Sequence, residues 1–317
     1  MQEYQRITGA LRNSYDIDVL TIEFLPLGAD MNASVYKVQG KDNKSYFVKL
    51  KRNYRQDISI KIAWLLHESG LENIILPIKT VDGEGAAQLG GDMLIVYPFI
   101  QGEDGFKRDL SKDQWIKLGK ALRQIHEVEV PISLQIRRET FSNTWRLRVR
   151  EILSQIDKES SPLAKFMREQ KGLISKILER AEGLSEQVPK IPHLVLCHSD
   201  IHGGNVLIDE KGKIYIVDWD DPIMAPKERD LMFIGGGVGN LWNKPQENEF
   251  FFQGYGNAPI NKSLLTYYRF ERIVVDIAEF HQESMKFPDE ERILPMFKAM
   301  FEPNGVVDIA FNQAEVG

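Results

Sequence analysis

Asp200, Asn205 and Asp218 have the residue types and the spacing on which a reaction can be built. Asp200 and Asn205 lie in the stretch His198-Ser-Asp-Ile-His-Gly-Gly-Asn205, and Asp218 closes the apolar run Ile214-Tyr-Ile-Val, ahead of Trp219 and Asp220. A carboxylate at Asp200 can orient an attacking hydroxyl and accept its proton. The Asn205 amide oxygen and the Asp218 carboxylate are hard ligands of the kind magnesium takes in small number when phosphates and water supply the rest. The chemistry such a set suits is phosphoryl transfer, where the protein contributes positioning and charge more than covalent steps. Asp220 and Asp221 add negative charge beside Asp218; they suit either an ammonium group on an acceptor or a solvated loop.

Groups of this kind belong at strand ends and in loops, where reactive side chains are displayed. Short strands are expected at 195–197, 206–209 and 214–217, with Glu210-Lys-Gly212 as the turn between the last two. Upstream, apolar runs at 21–27, 35–38 and 45–50 read as strands, and Lys49 sits mid-strand between Val48 and Leu50. A lysine there either snorkels from an edge or binds phosphate, and if buried it needs an anionic partner. Ile58, Ile62, Leu65 and Leu66 recur at helical spacing, and Gly70 stops that helix. A further buried strand covers 93–97, and residues 98–105 hold a proline and two glycines, a hinge. Ser111 and Gln114 have capping-box spacing ahead of the stripe Trp115, Leu118, Leu122, Ile125. Residues 136–188 are charged and helix-favouring. Arg137, Arg138, Arg146, Arg148 and Arg150 there form either a solvated helix face or one wall of a substrate site. The chain from about 228 onward reads mainly as helix. Gly235-Gly-Gly237 has no preceding strand and no following Lys-Ser/Thr, which excludes a Walker loop and leaves close helix packing or approach of the substrate as its use.

Composition narrows the class. At 317 residues, 43% hydrophobic and 27% charged, the chain can bury a real core and divides most naturally into two lobes. A net charge of −6 disfavours nucleic acid as a partner. Cys197 is the one cysteine, so neither an internal disulfide nor a multi-cysteine zinc site can form, and burial in a strand is its expected fate. The amino terminus lacks a basic start with an apolar core, and no apolar run of about 18 residues occurs; a cytoplasmic protein without membrane contact is expected.

The His198–Asn205 stretch and the Ile214–Asp218–Trp219 strand end resemble the aminoglycoside phosphotransferase family, whose pattern is H-G-D-x-H-x-x-N followed by a strand and I-D-W. The resemblance implies an α+β, two-lobed protein-kinase-like fold, with a small β-rich N-lobe and a larger helical C-lobe. The nucleotide-binding N-lobe would span 1–97, the hinge 98–105, and the C-lobe 106–317. It implies ATP or another NTP with Mg2+, Asp200 as catalytic base, and Asn205 and Asp218 on the metal. Lys49 would bind the α/β-phosphates, Asn32, Ala33 and Ser34 would approach the phosphates, and Pro98 and Ile100 would meet the base if Tyr97 guards the pocket. His198, His202 and Asp230 would hold the loop, and Asp220 and Asp221 would face the acceptor. Two departures stand out: Ser199 replaces the family's glycine, and Gly203 its common proline. Where the family places a glutamate to pair with the lysine, this chain has Ser59, and Asp57 is the acid expected to take that role.

The acceptor implied is a hydroxyl of a small cationic aminocyclitol or aminoglycoside, with spectinomycin leading. A housekeeping kinase for an amino alcohol or thiosugar is the alternative. A non-catalytic nucleotide-binding module is a third reading, opposed by the presence of Asp200, Asn205 and Asp218 together.

Overall fold

In a computed structural model, which describes residues 2–26, 32–54, 58–286 and 290–315, the chain begins α1 (Gln2–Tyr15), β1 (Val19–Leu25), β2 (Ala33–Gly40), β3 (Ser45–Lys51), α2 (Ile58–Glu68), β4 (Ala87–Leu89), β5 (Asp92–Pro98) and β6 (Gly102–Asp104). It continues α3 (Lys112–Glu127), α4 (Thr144–Gln155), α5 (Pro162–Glu169), α6 (Lys171–Ser185), β7 (Val195–Cys197), β8 (Val206–Asp209), β9 (Ile214–Ile216) and β10 (Ile223–Ala225). The last elements are α7 (Glu228–Leu231), α8 (Pro245–Tyr255), α9 (Lys262–Lys286), α10 (Glu290–Ala299) and α11 (Val306–Glu315). Two compact units result. The first holds Met1–Glu103, Glu129–Gln135 and Val206–Pro222; the second holds Asp104–Val128, Ile136–Asn205 and Ile223–Gly317.

Side-chain alternation along β3 organises the first unit. Its antiparallel sheet runs β1-β2-β3-β5-β4. Val48 and Leu50 are fully buried and share a core with Val38, Leu94 and Val96, closed by Ile7 and Leu11 of α1. Burying a side chain of this size stabilises by about 1.5–3 kcal/mol. Because successive strand residues face opposite sides, Lys49 and Lys51 are directed away from that core. The helix α1 was not expected in a lobe read as strands; its buried Ile7, Ala10, Leu11 and Tyr15 are spaced for one face among polar residues. The β8–β9 hairpin belongs to the same unit. Asn73 fixes it, donating from Nδ2 to the Ile214 carbonyl at 2.9 Å and accepting from the Ile216 amide at 2.8 Å. Gly102 passes so close to β8 that a Cβ there would lie 2.2 Å from the Ile208 carbonyl oxygen.

In the second unit, α3 starts with the expected capping box: Ser111 accepts from the Gln114 amide, and Gln114 accepts from the Ser111 amide at 2.8 Å. The basic stretch is divided in its use. Arg146 is buried and paired with buried Glu271 on α9, whereas Arg148 and Arg150 pair with Glu151 and Glu182 at the surface. Arg146 is therefore a core ion-pair residue rather than part of a solvated face. Cys197 is fully buried in β7, opposite Ile223 of β10. Burial pushes its thiol well above the ordinary range. Among the described residues no helix is long and apolar enough to cross a membrane.

Candidate active site

The loop 198–205 is built around Asp230, which is fully buried at α7. Its Oδ2 accepts from the His198 amide at 2.9 Å and its Oδ1 from the Ser199 amide at 2.6 Å. His126 of α3 lies with Nε2 3.1 Å from Oδ2, and its Nδ1 meets the Tyr255 hydroxyl at 2.8 Å. A carboxylate with three donors is well satisfied in the interior. Cys197, His126 and Asp230 offer ligand atoms within 4.8 Å of one another. Both His126 nitrogens and both Asp230 oxygens are already bonded, so this cluster is a hydrogen-bonded core and not a metal centre. Ser199, standing where the family has glycine, takes φ 73°. That left-handed backbone costs a non-glycine residue about 1–2 kcal/mol, and the two Asp230 bonds hold it there.

Asp200 follows directly. Its Oδ1 accepts from Arg272 Nη1 of α9 at 2.6 Å. Its Oδ2 lies 3.3 Å from Asn205 Nδ2 and 3.5 Å from His202 Nε2, and its backbone carbonyl accepts from the same Asn205 amide at 2.8 Å. Burial would raise this carboxyl, but the His202 contact and the Arg272 guanidinium outweigh it and hold it well below the usual carboxylate range. It is thus ionised at neutral pH, as a proton acceptor must be. His198 accepts the Asp200 amide on Nδ1 at 3.3 Å, and His202 accepts the Gly204 amide at 3.0 Å while stacking on Phe106 at 5.1 Å between centroids. Both histidines thus hydrogen-bond to backbone amides within the loop.

Lys49, Asp218 and Asp220 are brought together in the first unit. Lys49 Nζ is 3.1 Å from Asp218 and 2.6 Å from Asp220, and Lys51 reaches the other Asp220 oxygen at 3.1 Å. Burial alone would lower the Lys49 ammonium; Asp218 and Asp220 outweigh it and hold it above the ordinary lysine range. Asp220 shows the converse: burial would raise it, and Lys49 and Lys51 bring it down. Asp220, expected on the acceptor side, is therefore tied to two lysines of β3. Lys51, at 2% exposure the more buried of the two, carried no motif and was missed; the alternation that placed Lys49 also predicts that Lys51 shares its face. Asp57, the acid expected to pair with Lys49, lies outside the described residues, and Ser59 is buried in α2. Asp221 is exposed.

Asn32 accepts the Arg52 amide at 2.7 Å, and Ala33 and Ser34 open β2 opposite Lys51 and Leu50; residues 27–31 lie outside the described residues. Pro98 ends β5 opposite Tyr46. Pro98 and Ile100 line an open cavity of about 590 Å³ together with Leu71, Ile75, Leu76 and Tyr215. Tyr97 packs its ring against Phe47 with centroids 6.3 Å apart.

With this geometry in place, the chain was compared with known proteins. Residues 23–262 match the model of the phosphotransferase enzyme family. The chain belongs to this family. The crystal structure of spectinomycin phosphotransferase APH(9)-Ia with ADP and spectinomycin is similar at 44% identity, covering 98% of each chain, with a TM-score of 0.93. The AMP-bound complex of that enzyme matches at 44% identity over 97% of this chain and 98% of that one, with a TM-score of 0.89. A microcompartment-associated aminopropanol kinase shares the fold at 14% identity, over 99% of this chain and 98% of that one, with a TM-score of 0.69. A comparison with curated proteins finds no match. The chain is an ATP-dependent phosphotransferase of protein-kinase-like fold, with a β-sheet N-terminal region and a helical C-terminal region.

Asn205 of the second unit and Asp218 of the first each carry an oxygen donor of the kind magnesium takes. The Asn205 amide nitrogen is committed to Asp200, which leaves its oxygen uncommitted to that carboxylate, and the Asp218 carboxylate is 46% exposed.

Proposed function

We propose that this protein transfers the γ-phosphoryl group of ATP to a hydroxyl of a small cationic aminocyclitol, with spectinomycin the leading acceptor. The observation that carries the reading is the likeness to spectinomycin phosphotransferase along nearly the whole of both chains, taken with the ionised Asp200 on a braced loop. Relatives at 14% identity, the aminopropanol kinase included, support the fold alone.

Asp200 orients the acceptor hydroxyl and takes its proton as the bond to phosphorus forms. The pinned carboxylate needs no reorganisation at that moment. Because Asp200 is held well below the usual range, it is a weak base. Its main contribution is alignment, which suits a loose transition state whose nucleophile deprotonates late. Lys49 supplies positive charge to the α/β-phosphates. The same ammonium pairs with Asp218 and Asp220, which fix its position on the face of β3. Asn205 and Asp218 would hold magnesium, which when bound neutralises phosphate charge. Asn32, Ala33 and Ser34 would meet the phosphates, Pro98 and Ile100 would meet the base, and Asp221 remains a candidate contact for an acceptor ammonium.

An acceptor screen tests this function. ADP formation is measured across aminocyclitols, aminoglycosides, small amino alcohols and thiosugars at fixed ATP and magnesium. Spectinomycin should accelerate ADP release most. Preference for an amino alcohol or thiosugar, with no response to spectinomycin, would replace this reading with the housekeeping kinase.

A further inference from the structure

Arg272 lies 72 residues from Asp200 in sequence and reaches it from α9, with Nη1 2.6 Å from Oδ1. It is held from two further directions. Its Nε is 2.7 Å from Asp276 Oδ1, one helical turn along, and its guanidinium lies 5.5 Å from the centroid of the Phe233 ring. A planar guanidinium restrained this way holds its N–H groups in a fixed fork, a rigidity a lysine lacks. The other Asp200 oxygen faces Asn205 Nδ2 at 3.3 Å and His202 Nε2 at 3.5 Å. One oxygen is thus pinned from α9 and the other from the loop itself, which fixes the plane of the carboxylate. An ionised carboxylate has about four lone-pair positions. Arg272, Asn205 and His202 use up to three and leave one for an incoming hydroxyl.

We propose that Arg272, backed by Asp276, is a positioning residue that sets the orientation of the Asp200 carboxylate toward the acceptor hydroxyl. The inference rests on the reading of Asp200 as the group that aligns that hydroxyl. Catalysis by alignment is sensitive to small displacements: a shift of about 1 Å can cost about a hundredfold in rate. Neither Asn205 nor His202 can replace Arg272, because both approach Oδ2 and both move with the loop. Asp276 is also required, since its carboxylate restrains the guanidinium that would otherwise follow Asp200.

A double-mutant cycle tests this. Replacing Arg272 alone would leave Asp276 buried without its partner, so the pair is replaced together, Arg272→Met with Asp276→Leu, which removes both charges of the ion pair. Single-turnover phosphoryl transfer and nucleotide affinity are measured for wild type, for this variant, for Arg272→Lys, for Asp200→Asn, and for Asp200→Asn combined with the paired replacement. The expected result is a loss of about 10- to 100-fold in rate with nucleotide affinity unchanged, partial recovery in Arg272→Lys, and no further loss from the paired replacement when Asp200 is already Asn. An equal fold-loss in both backgrounds would mean that Arg272 acts independently of Asp200 and would overturn the proposal. So would a parallel fall in nucleotide affinity or an unchanged rate. If the paired replacement does not fold, the cycle runs on Arg272→Lys in the same two backgrounds, with the same outcomes. A slow Asp200→Asn variant with additive losses removes the role of Arg272 alone, whereas an Asp200→Asn variant at wild-type rate removes the reading of Asp200 as well.

Discussion

Asp230→Asn should damage both the stability of the second unit and the rate of phosphoryl transfer. The wild-type carboxylate accepts three bonds: two on Oδ2, from the His198 amide and His126, and one on Oδ1, from the Ser199 amide. An asparagine has one accepting oxygen. Its best placement keeps that oxygen at the Oδ2 position and turns the amide NH2 toward the Ser199 N–H, a donor facing a donor. One charge-assisted bond is lost, worth about 1.5–3 kcal/mol. The Ser199 amide is left without that acceptor beside a backbone already at φ 73°. The total is about 2–4 kcal/mol. Urea denaturation followed by tryptophan fluorescence measures it, since Trp115 and Trp242 stack edge-on in this unit with centroids 4.9 Å apart. The midpoint should fall while the slope stays constant. Asp200 is one residue beyond Ser199, so kcat should also drop about tenfold or more. A midpoint within 0.5 kcal/mol of wild type by the same analysis, with kcat unchanged, would refute the assignment of Asp230 as the anchor of the loop.

Three further outcomes are expected. Ser199→Gly should keep turnover within a few-fold of wild type, whereas Ser199→Val should lose about 1–3 kcal/mol of stability, because a β-branched residue tolerates φ 73° poorly; equal stability of the two variants would contradict the strained turn. Lys49→Ala should weaken nucleotide binding and leave acceptor affinity nearly unchanged, with titration of ATP and of acceptor separating the two; normal nucleotide kinetics would return Lys49 to a structural role. Burial raises Tyr36 and Tyr46 to about 12, with Glu3 and Asp42 adding to the effect, and burial also raises Tyr15, Tyr255, Tyr267 and Tyr268. An unfolded tyrosine titrates near pH 10, so above that pH the unfolded chain binds fewer protons than the native one. Stability is then fully present below about pH 10 and is lost as pH rises toward 12; a melting temperature that stays level through that range would contradict these shifts.

The legible part of the site was the part coded locally. His198 through Asn205 and the strand ending at Asp218 lie close together in sequence, so residue type and spacing sufficed to mark them. The capping box at Ser111 and the apolar stripe behind it were visible for the same reason. What escaped the sequence was long-range. Arg272 is one charged residue in a helix whose neighbours Ile273, Val274 and Ile277 are buried, and its i,i+4 pairing with Asp276 looks like an ordinary surface pair until the fold brings Asp200 to it. His126 follows the apolar stripe that ends at Ile125, and nothing in its sequence neighbourhood marks it as the third donor to Asp230. The helix α1 was hidden because polar residues outnumber its four core positions. Arg146 was indistinguishable from its solvated neighbours Arg148 and Arg150, because a buried charge is identified by its partner, and Glu271 lies 125 residues away. Asp220 posed the same problem: its carboxylate suited an acceptor ammonium equally well until the fold set Lys49 and Lys51 on either side of it.

Single-turnover transfer from γ-labelled ATP to spectinomycin, in wild type and Asp200→Asn, tests the central claim most directly. Wild type should move label to the antibiotic, with magnesium required. Asp200→Asn should bind ATP as tightly and transfer about a hundredfold or more slowly, as expected for loss of the carboxylate that aligns the hydroxyl and takes its proton. Label reaching spectinomycin at the wild-type rate in Asp200→Asn, or no label reaching it in wild type while another acceptor is phosphorylated, would contradict the account.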